Sequence, residues 1–261
     1  MLPRRIKTMG FNFSRYRLPL LMAIHGNLLR VSGFSMNANF NAPPLPAAIH
    51  DRLTLAQSNG FGDYSSWIIP GAVMQGRNPT SGRGSAFDRI NTIVNEGKCS
   101  TFVCLQAEAA PQDETENGVL GGMEDWKTAP MKFDSYKEDV IKAISMSGNS
   151  QLQPSFLHYG IRDFDVADSL EGLDRLITNL ADRVRSGEVL YLHCWGGKGR
   201  AGLVSACLIG EFYDIDANEA LERISAYANL RVSPGTAINS PETEAQKDQV
   251  RAFYQYKGRR I

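Results

Sequence analysis

The 261 residues suffice for one substantial core, and 28 basic residues against 28 acidic ones leave no global field to select nucleic acid or an anionic membrane, so any affinity for an anion must be local. No apolar run approaches the roughly 18 to 20 residues that span a bilayer, and the longest, Leu18 to Ile24, argues against an integral membrane segment. The four cysteines, Cys99, Cys104, Cys194 and Cys207, form neither a dense disulfide pattern nor paired C-x-x-C zinc spacing, which fits free thiols in a reducing compartment.

No Asp or Glu precedes Asp51, whereas Arg4, Arg5, Lys7, Arg15, Arg17 and Arg30 do. Over residues 1–50 three readings stay open: a plastid or mitochondrial transit peptide, a weak secretory signal built on Leu18 to Ile24, and a disordered extension. A cytoplasmic location is the default, and an organelle follows only if the segment is a transit peptide. The prolines between Asn41 and Pro46 read as a linker, because clustered prolines resist regular structure. A single folded domain is expected over residues 53–261.

Within it, Trp67 to Gly71 and Val73 to Arg77 read as short edge strands. A helix follows over Ser85 to Glu96, with Phe87, Ile90, Ile93 and Val94 on one face and Gly97 as its stop. Thr101 to Leu105 has no polar alternation, as expected of a strand buried on both faces. The polar stretch from Ala109 to Pro130 reads as a lid or a tolerated loop. Ser135 to Ile144 is helical in spacing, with Tyr136, Val140, Ile141 and Ile144 together. Ser155 to Ile161 is a further strand, ending in Asp163, Asp165 and Asp168. Asp168 has capping-box spacing before a helix striped by Leu173, Leu176, Ile177, Leu180 and Val184 and closed by Gly187. Val189 to Leu192 is a buried strand delivering His193 and Cys194 to a glycine-rich turn, after which Ala201 to Phe212 is helical. Two more helices are predicted, one from Ala217 behind Asp216 and one opening at Ser240-Pro241 and running toward Tyr256. Strands alternating with helices imply an α/β fold with a mainly parallel sheet.

The chemistry concentrates in Cys194-Trp195-Gly196-Gly197-Lys198-Gly199-Arg200. Between a buried strand and a helix, Gly196, Gly197 and Gly199 let the backbone curl into positive φ, so that N–H groups converge while the helix adds its positive end. Such a nest binds a tetrahedral oxyanion, and Arg200 adds a bidentate fork. The same field favours the thiolate of Cys194, which makes it a nucleophile at neutral pH without a base.

The run His193, Cys194, Gly197, Arg200 resembles the His-Cys-x-x-Gly-x-x-Arg signature of the Cys-x5-Arg phosphatases, the protein tyrosine phosphatase superfamily, and is similar to its compact dual-specificity branch. Three further phrases carry the likeness: the stretch from Trp67 to Pro79, which resembles the family's domain opening, Ile161-Arg162-Asp163 ahead of the nucleophile, and Pro241-Glu242-Thr243-Glu244-Ala245-Gln246. The likeness covers roughly Trp67 to Tyr256. It implies a three-layer α/β phosphatase fold with a central, mainly parallel sheet flanked by helices, and hydrolysis of a phosphorylated protein or small phosphomonoester through a phosphocysteine intermediate. By the same resemblance Cys194 is the nucleophile, Arg200 and the loop from Trp195 to Ala201 bind the phosphoryl group, and Asp163 is the general acid, with Asp165 and Asp168 as rivals. Gln246 positions the hydrolytic water and His193 orients the loop. No metal or organic cofactor is signalled, and no oligomeric state.

Two alternatives remain. Lys198 inside the loop adds charge that would suit inositol phosphates or phosphoinositides. Ala201 stands where most relatives place Ser or Thr, whose hydroxyl eases loss of the thiolate. That departure predicts slow turnover, in the extreme a pseudophosphatase acting as a phosphoresidue-binding module. Cys104 and Cys207 read as buried structural thiols ahead of partners for an oxidised Cys194.

Overall fold

The computed structural model describes residues 40–129, 133–148 and 152–261. The targeting and disorder readings of residues 1–50 therefore lie outside the described residues over 1–39, and only residues 40–50 are described. Within them, β1 (Ser65–Ile69), β2 (Val73–Arg77), β3 (Thr101–Gln106), β4 (Val119–Gly122), β5 (Ser155–Ile161) and β6 (Leu190–Cys194) form one sheet in the order β1-β2-β6-β3-β5-β4. Only the β1–β2 pair is antiparallel; the other pairings are parallel. The helices are α1 (Arg52–Asn59), α2 (Ala86–Asn95), α3 (Lys137–Met146), α4 (Leu170–Arg185), α5 (Gly199–Ile209), α6 (Ala217–Asn229) and α7 (Glu244–Tyr256). No helix among the described residues is long and apolar enough to cross a membrane.

Three layers follow from strand alternation. All of β3 is buried, and successive side chains leave opposite faces. Val103 and Leu105 join the core under α4, α5, α6 and α7, while Phe102 joins the smaller core under α2 and α3. There Phe102 lies 5.7 Å from the Tyr136 and Tyr191 rings and 6.0 Å from Phe156. Burying one such ring contributes about 1.5 to 3 kcal/mol.

Several local expectations are corrected. The proline-rich strip is not a free linker. Phe40, Ala42 and Leu45 pack on the larger core, and the Pro43 and Pro46 carbonyls accept from Tyr213 Oη (2.7 Å) and Arg223 Nη1 (2.8 Å). Proline lacks a donor but keeps its acceptor, so an extended strip can dock without a sheet. The cap of α4 is Ser169, whose oxygen accepts from Gly172 N, and Asp168 instead accepts from Tyr159 Oη at 2.6 Å. Helix α7 opens at Thr243 rather than at Ser240-Pro241, through a capping box closed with Gln246. Ile141 is exposed on α3, where Ala143 takes the buried position instead. The polar stretch after β3 contains β4, paired with β5 at the sheet edge; four residues with two positive-φ glycines leave little strand signature in the sequence.

Candidate active site

Strand β6 runs between β2 and β3, and Cys194 sits at its carboxyl end, where open parallel sheets bind ligands. The chain then turns over residues 195–198 and enters α5. Of the three loop glycines only Gly197 has positive φ (68°), and a Cβ there would lie 2.2 Å from Gly76 O, so the turn demands glycine for both reasons. The loop is held from behind. Gly197 O accepts from Gln75 Nε2 and Arg231 Nη2, each at 2.8 Å; Lys198 O accepts from Ser240 Oγ at 2.8 Å; and Trp195 O accepts from Asn78 N at 3.1 Å. With its carbonyls turned into the protein, the loop leaves the N–H groups of residues 195–198 without an acceptor among the described residues. This is the geometry of an anion nest at a helix amino terminus.

Arg200 is 1 % exposed. Its Nη1 donates to both Glu108 oxygens (2.9 and 2.6 Å) and to Ile161 O (3.0 Å). Burial opposes its charge, but the Glu108 hydrogen bonds, together with the Cys194, Glu108 and Asp163 charges, hold Arg200 above its ordinary value. The other edge differs: Nε and Nη2 are buried yet make no hydrogen bond among the described residues, although Nη2 lies 3.0 Å from Asp163 Oδ1 as an ion pair. Buried donors without acceptors are rare and call for a ligand or a function.

Three acidic residues follow β5, and they have separate fates. Asp163 faces the pocket, Asp165 accepts from Val166 N at 2.9 Å, and Asp168 is held by Tyr159. Between the first two, Phe164 is 60 % exposed at a φ of 61°, unusual for a bulky residue. The acid loop is fastened by α7. Thr243 Oγ1 donates to Phe164 O (3.5 Å) and Gln246 Nε2 to Asp165 O (3.0 Å), while Gln249 both donates to Ala167 O and accepts from Ala167 N, at 2.8 Å each. Gln246 is fully buried, with its oxygen also accepting from Glu242 N (3.0 Å) and Thr243 N (3.1 Å). It lies behind Gly199 rather than among the residues lining the pocket.

His193 is buried and shares a 2.8 Å hydrogen bond between Nε2 and Tyr136 Oη. Burial pushes its pKa down to about 3, so the ring is neutral at physiological pH and suits a structural post. Lys198 pairs with Glu242 at the rim. Ala201 is fully buried in the first turn of α5. Cys104 is the register partner of His193, so its side chain leaves the face opposite to that of Cys194, and burial pushes its thiol up to about 12.

These groups enclose a pocket of about 320 Å³ lined by Cys194, Arg200, Asp163, Trp195, Phe164, Arg77, Lys198 and Glu242. No described residue of the polar stretch between β3 and α3 lines it. A second cavity of about 430 Å³ lies at the far end of β5, against Ile141, Ile144 and Leu152, with none of this chemistry. Of the residues that act on the loop, Glu108, Gln75, Arg231 and Gln249 escaped the sequence reading. Glu108 alone had a signal, as an acid two residues past the carboxyl end of a buried strand.

Residues 146–250 match the family model described as PTP-SAK: Swiss Army Knife protein, DSP-PTPase phosphatase domain. The "Putative tyrosine phosphatase 067L" of Invertebrate iridescent virus 3 is 33% identical over 152 residues, 53% of this chain and 62% of that protein, so the match spans less than two thirds of the relative. Among solved structures, Tk-PTP in its active form is similar at a TM-score of 0.47 and 20% identity, over 74% of this chain and 97% of that one. The core catalytic domain of the PP-IP phosphatase SIW14 from S. cerevisiae is similar at 0.43 and 10%, over 72% and 84%. The family match takes in β5, the acid loop, the Cys194 loop and the start of α7, so the part of the chain that is similar to dual-specificity phosphatases is the part that builds most of the pocket.

Proposed function

We propose that the protein is a phosphomonoesterase of the protein tyrosine and dual-specificity type, working through a phosphocysteine at Cys194. The observation that carries this reading is the two-edged Arg200: one edge is saturated by Glu108, and the other presents two unbonded donors beside Cys194 and Asp163. A phosphoryl group seated there accepts from Nε, Nη2 and the loop N–H groups. The Cys194 sulfur attacks phosphorus, the bond to the leaving oxygen breaks, and Asp163 gives that oxygen its proton. Asp163, now a carboxylate, takes a proton from water; the water oxygen bonds to phosphorus, the sulfur–phosphorus bond breaks, and phosphate leaves. Because the bound dianion competes with Asp163 for Arg200 Nη2, substrate entry loosens the ion pair, and the Asp163 carboxylate takes from solvent the proton that it then gives to the leaving oxygen. Gln246 would act on the water only through its second N–H, since its oxygen and one N–H are already engaged.

Turnover of phenyl phosphate, followed as phosphate release, tests the reading. Wild type should turn over, Cys194→Ser should fall to background, and Asp163→Ala should lose about 10²- to 10⁴-fold. Equal background rates in all three would leave an anion-binding module and sink the enzyme.

A further inference from the structure

The cations around the pocket are not equivalent. Arg200 is matched by Glu108 and Asp163, and Lys198 by Glu242. Arg77 also lines the pocket, yet its guanidinium has no hydrogen bond or ion pair among the described residues. An exposed arginine at a strand end is ordinarily just solvated, but this one is set on a rigid base. Its N–H donates to Tyr64 O at 3.0 Å, its carbonyl accepts from Tyr191 Oη at 2.7 Å, and its Cα is the register partner of Cys194 on the adjoining strand. Adjoining strands lie about 4.8 Å apart. The free charge therefore springs from a fixed point one strand away from the nucleophile. Behind the loop, Arg231 is a further cation whose partners among the described residues are carbonyls, so the Arg77 side of the pocket carries positive charge that no described carboxylate offsets.

We propose that Arg77 forms a second anion subsite in this pocket and takes a second phosphate of a compact substrate, one whose two phosphates sit on neighbouring carbons of a polyol. The proposal rests on the phosphomonoesterase reading of the Cys194 site. Compactness follows from the geometry, because Arg77 and Cys194 share one pocket of about 320 Å³. That volume accepts a small ring with two phosphates. Two consecutive phosphorylated side chains of a peptide leave opposite faces of an extended backbone and would not both enter. Lys198 contributes less, because Glu242 already claims it. A free polyol phosphate and a lipid headgroup share this chemistry, and the assay separates them.

The test compares myo-inositol 4-phosphate with myo-inositol 4,5-bisphosphate, and adds phosphatidylinositol 4,5-bisphosphate in phosphatidylcholine vesicles, using the full chain. For wild type, kcat/KM on a bisphosphate, soluble or in vesicles, should exceed that on the monophosphate about ten-fold or more, the worth of one charge-assisted hydrogen bond. Arg77→Ala should erase most of that ratio, Arg77→Lys should keep part of it, and added salt should shrink it. Faster release from the soluble or from the vesicle arm identifies the source. Absence of a wild-type preference in both arms, an equal loss on mono- and bisphosphate in Arg77→Ala, or a preference confined to a doubly phosphorylated peptide would overturn the proposal. Failure to hydrolyse even phenyl phosphate would strike the enzymatic reading instead. Calorimetric titration of Cys194→Ser with the two inositol phosphates then still reads the subsite, which requires tighter binding of the bisphosphate and its loss in the Cys194→Ser, Arg77→Ala double variant.

Discussion

The loop that carries Cys194 and the loop that carries Asp163 meet in one pocket but are built in opposite ways. The first is a contiguous strand, turn and helix, all buried apart from its rim. Its shape is set by Gly197 and by donors aimed at its carbonyls. The second is an exposed turn with a positive-φ Phe164, and it owes its position to α7, some eighty residues later in the chain. The proposed nucleophile and its anion nest thus come preassembled, whereas the proposed acid is placed by a remote helix. Damage to the first region should abolish chemistry; damage to the second should selectively weaken proton transfer.

The largest effect short of removing Cys194 or Asp163 is expected at Glu108. Glu108→Gln keeps the shape but removes the charge facing a buried arginine, and misaiming the fork should lower kcat/KM about 100-fold, since small misplacements cost that much. Thermal unfolding should fall as well, because Arg200 loses its main partner. A variant with near-normal activity would show that the fork is held by the loop alone.

Gln249→Ala sharpens the other half of the comparison. It removes two hydrogen bonds to Ala167 and touches nothing in the pocket, so it is a positioning residue. Its kcat on phenyl phosphate should drop about ten-fold, while substrates whose leaving group needs no proton should change little. Uniform losses across leaving groups would mean that α7 supports the whole site and not the acid specifically.

Ala201→Ser probes the second chemical step. Wild type should show a pre-steady-state burst on an aryl phosphate, and the added hydroxyl should raise the steady-state rate several-fold as the thiolate leaves more easily, an effect of about 1 kcal/mol. No burst and no gain would remove Ala201 as the cause of slow turnover.

The smallest effect concerns stability alone. His193 is pushed by burial from its ordinary 6.5 to about 3, so the unfolded chain binds a proton that the folded chain refuses. This contribution is intact above about pH 6.5 and is lost as pH falls from there toward 3. Urea unfolding in that window should show a decline with acidification that His193→Asn reduces.

Legibility followed the same division. Strand, glycines, cysteine, arginine and helix are neighbours in sequence, so periodicity and turn chemistry exposed the nucleophile loop and the α/β alternation around it. Asp163 was singled out by the resemblance of Ile161-Arg162-Asp163 to a family phrase, but its separation from Asp165 and Asp168 needed coordinates, because only the fold shows that Val166 N and Tyr159 Oη hold the other two. Gln75 and Arg231 carry no local pattern and Glu108 only its place just past a buried strand; they lie 122, 34 and 92 residues from the atoms they contact. The strip from Phe40 to Pro46 misled for a related reason: prolines report on local conformation and say nothing about docking.

By itself the sequence determined the strand–loop–helix unit around Cys194 and Arg200, since glycine freedom, strand burial and helix polarity act over a few residues. Tertiary structure alone decided which edge of Arg200 is saturated by Glu108, which aspartate faces the pocket and which cation there has no partner among the described residues. Those outcomes depend on charges and donors brought together from distant strands and helices, where distance through space, not along the chain, sets the energy.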